Sequence, residues 1–500
     1  MATHGVDVFK PTWYDTLIGE GVLPSASRRD VKKNLQATLA RRLKVSIKKT
    51  KGMSTSPWMA HILDDGQLEY CAEDIQFLPA LMASHYEKVG EGTRERDALD
   101  FEMDLMPVTT KMVLNGLPFD FDEWDNYRDD QVEIIDHVSP ILEHCLGDVN
   151  LGSHVQLKKA FNERFGIQLE STDAEHIAEA AEDARTYEIL KDKYDAEGVG
   201  PVVAAGALLL WKAANKRYTM YDPDWVQKYV SKDGRAHARF WQCGTETGRY
   251  SSSDPNLQQI PQDGRRMFGG LAGHQIVSVD FSQLEVRVAA SIANDADLVA
   301  ALDTGDIHTQ VAAAIFKVPV GEISKKDPRR NIAKAATFTL IFGGSAMGLQ
   351  SYARQFGSHL SMGEAQRIVT NFYGAFPALA RHAAQARVVA QSTRYGGVHV
   401  AHLPTGMRRI LRAAPATQIL NTYIQGSAAA GMKSALMEAD RRGLTKYIGA
   451  TVHDELVAAV PDSEVADFTH ELEEAMVAGM AEVIDVPVAV ESAVGKNWSK

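Results

Sequence analysis

The sequence predicts a multidomain α/β protein, rich in helix and built around a small sheet. Three observations carry that expectation. Five hundred residues exceed what one hydrophobic core usually serves, so three or more subdomains are expected. Residues 275–280 and 447–454 are short runs of β-branched and small side chains, each a strand that delivers an aspartate, Asp280 or Asp454. Residues 283–440, between those runs, read as mostly helical.

The elements follow in chain order. Residues 1–95 mix apolar helical patterns with a basic run, Arg28 to Lys51, which holds ten Lys/Arg and one acid, Asp30. Around 98–115 the spacing of Leu99, Met103, Met106, Val108, Met112 and Val113 predicts a helix that stops at Asn115-Gly116, with Pro118 just beyond. From about 120 to 230 the chain reads as helical and charge-rich, with Leu151-Gly152-Ser153 as a cap. The polar, turn-rich stretch 236–261 predicts a strand and then a long ordered loop. The last sixty residues predict strand, turn, strand, a helix near 463–481 and a final strand around 486–490.

Bulk numbers exclude several classes. No apolar run approaches the ~20 residues a bilayer span needs and no secretory signal opens the chain, so a membrane-free, cytoplasmic protein is expected. Cys71, Cys145 and Cys243 lack metal-ligand spacing and fit a reducing compartment. The net charge of −12 speaks against nucleic-acid binding only as a total. The Arg28–Lys51 run and a second cluster (Lys325, Lys326, Arg329, Arg330 and Lys334) supply local positive field, which is what a phosphate meets.

Two carboxylates held side by side on strands can share divalent cations, an arrangement suited to phosphoryl transfer, where the protein mainly positions and neutralises charge. Glu455, next to Asp454, is a weaker ligand candidate: a supporting acid or a turn residue. Arg330, Lys334, Phe338 and Phe342 recur every four residues and predict one slanted stripe on a helix. Its cationic end suits phosphates and its aromatic end a base and sugar.

These residues lie in stretches that resemble the motifs of family A DNA polymerases, the bacterial DNA polymerase I type. Asp280-Phe-Ser-Gln-Leu-Glu-Val-Arg287 resembles the first palm motif, the 330–343 stretch the fingers-helix motif, and Val452-His-Asp-Glu-Leu456 the second palm motif. The 247–261 segment, Asn421-Thr-Tyr-Ile-Gln425-Gly426 and Gly495-Lys-Asn-Trp498 are similar to further elements, all in family order. The resemblance implies a right-hand architecture with an antiparallel palm sheet, helical fingers and a helical thumb. The expected division is 1–95 partial 3′–5′ exonuclease-like domain, 96–230 thumb and its base, 231–285 first palm part, 286–420 fingers and 421–500 second palm part.

The resemblance also implies roles. Asp280 and Asp454 hold two Mg²⁺ ions, with Mn²⁺ as an alternative; Lys334 donates a proton to pyrophosphate. Arg330, Lys334, Phe338, Phe342, Gln283, Glu285 and His308 bind the incoming deoxynucleotide. Arg249, Asn421, Gln425 and His453 contact primer–template DNA; donors such as arginine and side-chain amides test pair geometry through minor-groove acceptors common to every correct pair. Phe338, lacking a hydroxyl, implies discrimination against dideoxynucleotides. Two departures stand out. Phe342 replaces the usual tyrosine, so Glu285, the gate against a ribose 2′-hydroxyl, loses a hydrogen-bonding neighbour and is expected to be looser. Thr417 stands where family members often carry arginine, so one duplex contact is expected to be missing.

Tyr70 to Asp74 resembles the last motif of the exonuclease domain, and Trp13 to Leu17 the stretch after its middle motif. The earlier Asp-x-Glu is not found ahead of them, and Asp100-Phe-Glu102 falls in a helical pattern after Tyr70. No proofreading in this chain is therefore expected, with residues 1–95 either a scaffold or the docking site of a separate exonuclease polypeptide. The overall expectation is a template-directed DNA polymerase, of phage or other mobile-element type. A single-subunit RNA polymerase and a catalytically silent DNA-binding accessory stay open as alternatives.

Overall fold

A computed structural model describes residues 13–23, 34–47, 63–180, 200–355 and 357–498. They form two compact units: Met1–Gly116 with Ala238–Gln259 and Ile276–Val494, and Leu117–His237 with Ile260–Gln275 and Gly495–Lys500. The boundaries expected at 95 and 230 do not coincide with this division.

The larger unit holds a four-stranded sheet in the order Val490–Gly495, His274–Phe281, Glu455–Pro461, Ile448–Val452. Val277, Val279, Val452, Leu456 and Val460 are buried along it. The Ala416–Arg441 helix packs along the Val465–Ala481 helix. At Gly479 a Cβ would lie 2.3 Å from the Ala435 nitrogen, so the crossing admits no side chain there. The Arg94–Asn115 helix starts on Thr93, whose hydroxyl accepts from the Arg96 N–H, and ends at Gly116 with φ +59°, as the Asn115-Gly116 signal predicts.

Among the described residues, 283–440 is a run of helices joined by short loops, interrupted by one hairpin, Val398–His402 paired with Arg408–Arg412, that the sequence signals do not announce. The Pro328–Leu340 helix carries Arg330, Lys334 and Phe338 but stops before Phe342. Gly343, at φ +72°, donates to the Leu340 carbonyl at 2.9 Å, and Gly344 donates to Thr339 at 2.9 Å. Those bonds close the helix, so the four-residue stripe has three helical members and Phe342 lies in the turn beyond.

Near the N-terminus, Glu20 is fully buried and receives Arg41 at 2.7 Å and Arg42 at 2.9 Å. His85 Nε2 lies 3.3 Å from the same carboxylate, and Tyr14 bonds His85 Nδ1 at 2.9 Å. Two of the ten basic residues in the Arg28–Lys51 run thus face inward rather than forming an open cationic strip; Arg28, Arg29, Lys32, Lys33, Lys48, Lys49 and Lys51 lie outside the described residues. Burial alone would raise the Glu20 pKa, but hydrogen bonds from His85, Arg42 and Arg41 outweigh it and hold it at about 2. Because the folded value lies below the ordinary 4.5, Glu20 stabilises the fold fully above pH ~4.5 and loses that contribution as pH falls toward 2. Glu20→Gln is expected to cost about 3 kcal/mol at pH 7, with the deficit shrinking as pH approaches 2; urea titrations at pH 7 and pH 3 check this.

The smaller unit is helical, with Phe121–Leu146, His154–Phe165 and Pro201–Met220 sharing a core of Leu142, Leu157, Phe161 and Leu208. Ser153 caps the second of these through the Gln156 N–H, as expected. Trp498 is fully buried, with the Phe268 ring 6.1 Å away and Arg265 4.4 Å over its face. No helix among the described residues is long and apolar enough to cross a membrane.

Candidate two-carboxylate active site

Asp280 is the penultimate residue of the His274–Phe281 strand. Asp454 is not on a strand but in the two-residue turn, His453-Asp454, that joins two antiparallel strands paired from Val452↔Glu455 onward. The Phe281 N–H donates to the Asp454 carbonyl at 3.1 Å, so the two aspartates, 174 positions apart in sequence, are main-chain neighbours. Both approaches are strained. His453 has φ +55° and Gln283 has φ +56°, the left-handed region that non-glycine residues rarely occupy and that recurs at functional sites.

Burial, with the nearby Glu285 and Asp280 charges, pushes the Asp454 carboxyl up to about 6 against the opposing pull of Arg249. Its side chain nevertheless keeps a quarter of its surface exposed. An aspartate this reluctant to ionise beside another carboxylate is a site that a cation would relieve. Among the described residues no trio of His, Cys, Asp or Glu is placed to hold a metal. Two carboxylates without a fuller cage fit Mg²⁺, which keeps waters and takes substrate phosphate oxygens as further ligands. Glu455 is buried at the start of its strand, opposite Val452.

Arg249 joins this cluster, 2.8 Å from Glu285 Oε1 and 3.9 Å from Asp454 Oδ1 through the same nitrogen. Glu285 sits in the first turn of the Leu284–Ala293 helix, which begins at Gln283; the Gln283 Oε1 has no hydrogen-bond partner among the described residues. A small cavity of about 170 Å³ is lined by Arg249, Tyr250, Gln258, Met432, His453 and Asp454.

Residues on and beside the Pro328–Leu340 helix make a second group. Arg330 binds Asp306 at 3.0 Å. The His308 ring centroid is 6.0 Å from that of Phe338, and its Nδ1 has no hydrogen-bond partner among the described residues. Burial first, then the charges of Arg330 and Lys334, push the His308 pKa down to about 4, so it is neutral at pH 7. Arg330, Lys334 and Phe338 are each half-buried, as a stripe accessible to a ligand requires. Asn421 and Gln425 sit one turn apart on the Ala416–Arg441 helix, both half-buried, and Thr417 lies exposed one turn earlier.

Beneath Arg249 lies a network that the sequence reading missed. Lys433 and Glu102 form a fully buried ion pair, and the Gln242 amide donates to the Glu102 carboxylate at 3.0 Å and to its carbonyl at 2.9 Å. Tyr250 and Thr109 hydroxyls share a 2.6 Å bond, and burial raises the Tyr250 pKa well above its ordinary value. The legible signal was a charged residue, Glu102, on an otherwise apolar helical face.

Residues 126–500 match the family model described as DNA polymerase family A. The chain is 31% identical over 426 residues to DNA polymerase I of Chloroflexus aurantiacus, covering 80% of this chain and 43% of that protein. It is 30% identical over 455 residues to DNA polymerase I of Pseudomonas aeruginosa (86% and 47%) and 29% over 479 residues to that of Aquifex aeolicus (90% and 79%). It thus spans less than half the length of the first two relatives. A solved structure, the POL domain of Pol1 from M. smegmatis in complex with DNA primer-template and dNTP, superposes with a TM-score of 0.74 at 24% identity, covering 97% of this chain and 82% of that one. That likeness shows a shared fold.

Proposed function

Because this chain belongs to DNA polymerase family A, we propose that it is a template-directed DNA polymerase, a nucleotidyltransferase that adds deoxynucleotides to a primer 3′-hydroxyl. The observation that carries this reading is the Phe281-to-Asp454 backbone bond, which makes main-chain neighbours of two aspartates far apart in sequence, one on a strand and one in a turn. Asp280 and Asp454 would hold divalent ions, two Mg²⁺ with Mn²⁺ as the alternative, which when bound neutralise triphosphate charge and acidify the primer hydroxyl.

The chain's own residues supply the rest. Arg330 and Lys334 draw the triphosphate onto the fingers helix, and Lys334 Nζ gives a proton to the departing pyrophosphate. His308, uncharged at pH 7, hydrogen-bonds the phosphates without adding positive charge. Phe338 packs on base and sugar, with Phe342 and Gln283 beside them, while Glu285 stands against the ribose 2′ position. Arg249, Asn421 and Gln425 test the new pair through its minor-groove acceptors, and His453 meets the primer end. We read 1–95 as exonuclease-like, 96–230 as thumb, 231–285 and 421–500 as palm and 286–420 as fingers, in a cytoplasmic enzyme. Tyr70 and Asp74, one turn apart on the Asp65–Ile75 helix, make no two-ion site by themselves. A separate exonuclease polypeptide docking on 1–95 would copurify.

Primer extension with deoxynucleotides and, separately, ribonucleotides tests the reading, with Asp454→Ala as control. Extension with ribonucleotides alone would favour an RNA polymerase, and DNA binding without any extension would favour a silent accessory. Phe338→Tyr is expected to raise dideoxynucleotide incorporation in a chain-termination assay. Unchanged termination counts against the placement of Phe338 at the sugar.

A further inference from the structure

We propose that Arg249 is the positioning residue that aims Glu285, and so sets discrimination between deoxy- and ribonucleotides. This rests on the polymerase reading, in which the incoming sugar lies against Glu285. A glutamate has three rotatable bonds, and a loose one swings aside at little cost. Glu285 also stands near Asp454, whose negative charge repels it. Phe342 has no hydroxyl to restrain it. The structure supplies another restraint: one Arg249 nitrogen lies 2.8 Å from Glu285 Oε1 and 3.9 Å from Asp454 Oδ1. A charge-assisted bond of this kind fixes the carboxylate and offsets the repulsion together. Both side chains keep less than a third of their surface exposed, so the pair is shielded from solvent more than an open surface bridge.

Arg249 is itself mounted. Its backbone N–H donates to Thr245 Oγ1 at 3.0 Å. The loop that carries it is tied at both ends to the Arg94–Asn115 helix, by Gln242 on Glu102 and by Tyr250 on Thr109. Held in this way, Glu285 leaves no room for an added 2′-hydroxyl. Released, it rotates away and admits one. The looser gate expected from Phe342 alone therefore omits a partner that stands 36 residues upstream in sequence.

The test is the ratio of kcat/KM for deoxy- over ribonucleotide, in which any change in DNA binding common to both cancels. Arg249→Lys keeps the charge but loses the planar fork, and is expected to lower the ratio about tenfold, mainly through the ribonucleotide KM. Glu285→Ala lowers it further, and adding Arg249→Lys to Glu285→Ala should change nothing more, because arginine then has no gate to aim. Tyr250→Phe, which deletes one buried hydroxyl, should move the ratio in the same direction by less. If Arg249→Lys extends too slowly, the same ratio is read from equilibrium binding of each nucleotide to a dideoxy-terminated primer complex. An unchanged ratio in Arg249→Lys, or equal losses with and without Glu285, overturns the proposal while leaving the polymerase reading intact. A wild-type chain that extends with neither nucleotide set removes the polymerase reading itself.

Discussion

Asp454→Ala and Asp280→Ala should each cut primer extension about a thousandfold or more while leaving primer–template affinity within a few-fold, since each removes charge stabilisation worth several kcal/mol at the reacting phosphate. Single-turnover extension and a gel-shift on the same preparations separate the two quantities. Asp454→Asn carries a further expectation of opposite sign. In metal-free protein the carboxyl is pushed up to about 6, so its ionised form is disfavoured in the fold. Its contribution is fully present below pH ~3.8 and is lost as pH rises through 6, and at pH 8 the amide variant should melt higher than wild type. Loss of activity with lost stability would instead make Asp454 a structural residue. Full activity in either alanine variant would remove the site altogether.

The largest expected effect on stability lies at the buried Lys433–Glu102 pair. Lys433→Met or Glu102→Gln alone leaves its partner's polar group buried without its counter-ion, and each is expected to cost about 3–5 kcal/mol. Lys433→Met combined with Glu102→Leu should regain most of that loss, because a well-packed apolar pair escapes the desolvation that the ions suffer. Gln242 would keep its bond to the residue 102 carbonyl, 2.9 Å away in the present structure. Denaturant midpoints for the two single variants and the double variant close the cycle. Additive losses would show that the two side chains do not act as a pair.

Much of this was legible in the sequence because the signals are local. The helix ending at Asn115-Gly116 follows from spacing and a stop signal within a few residues, and the Val465–Ala481 helix was legible in the order of the last elements. The adjacency of Asp280 and Asp454 was legible from two similar strand-like runs and the order of the motifs. Other features depend on partners far away in sequence. Nothing near Glu20 announces Arg41, Arg42 and His85, and nothing near Arg249 announces Glu285. Phe342 fitted a helical spacing that Gly343 and Gly344 interrupt through bonds back to Leu340 and Thr339, a turn decided by two glycines after the stripe was complete. The hairpin at Val398–His402 was hidden because its strands are only five residues each inside a largely helical stretch, although Gly396-Gly397 and Pro404-Thr405-Gly406 punctuate it.

The tight turn at His453-Asp454 constrains chain length more severely than it constrains composition. Side chains alternate faces along each flanking strand, and Thr451 pairs with Leu456 and Val452 with Glu455, so one amino acid inserted or deleted between Thr451 and Leu456 would break the register that presents Asp454. Farther off, the extra residue between Ile448 and Ala450 is already absorbed as a bulge. Apolar exchanges along the same ribbon keep that parity. Substitutions that keep the apolar pattern of this ribbon should therefore be tolerated, while a one-residue insertion or deletion beside the turn should abolish primer extension.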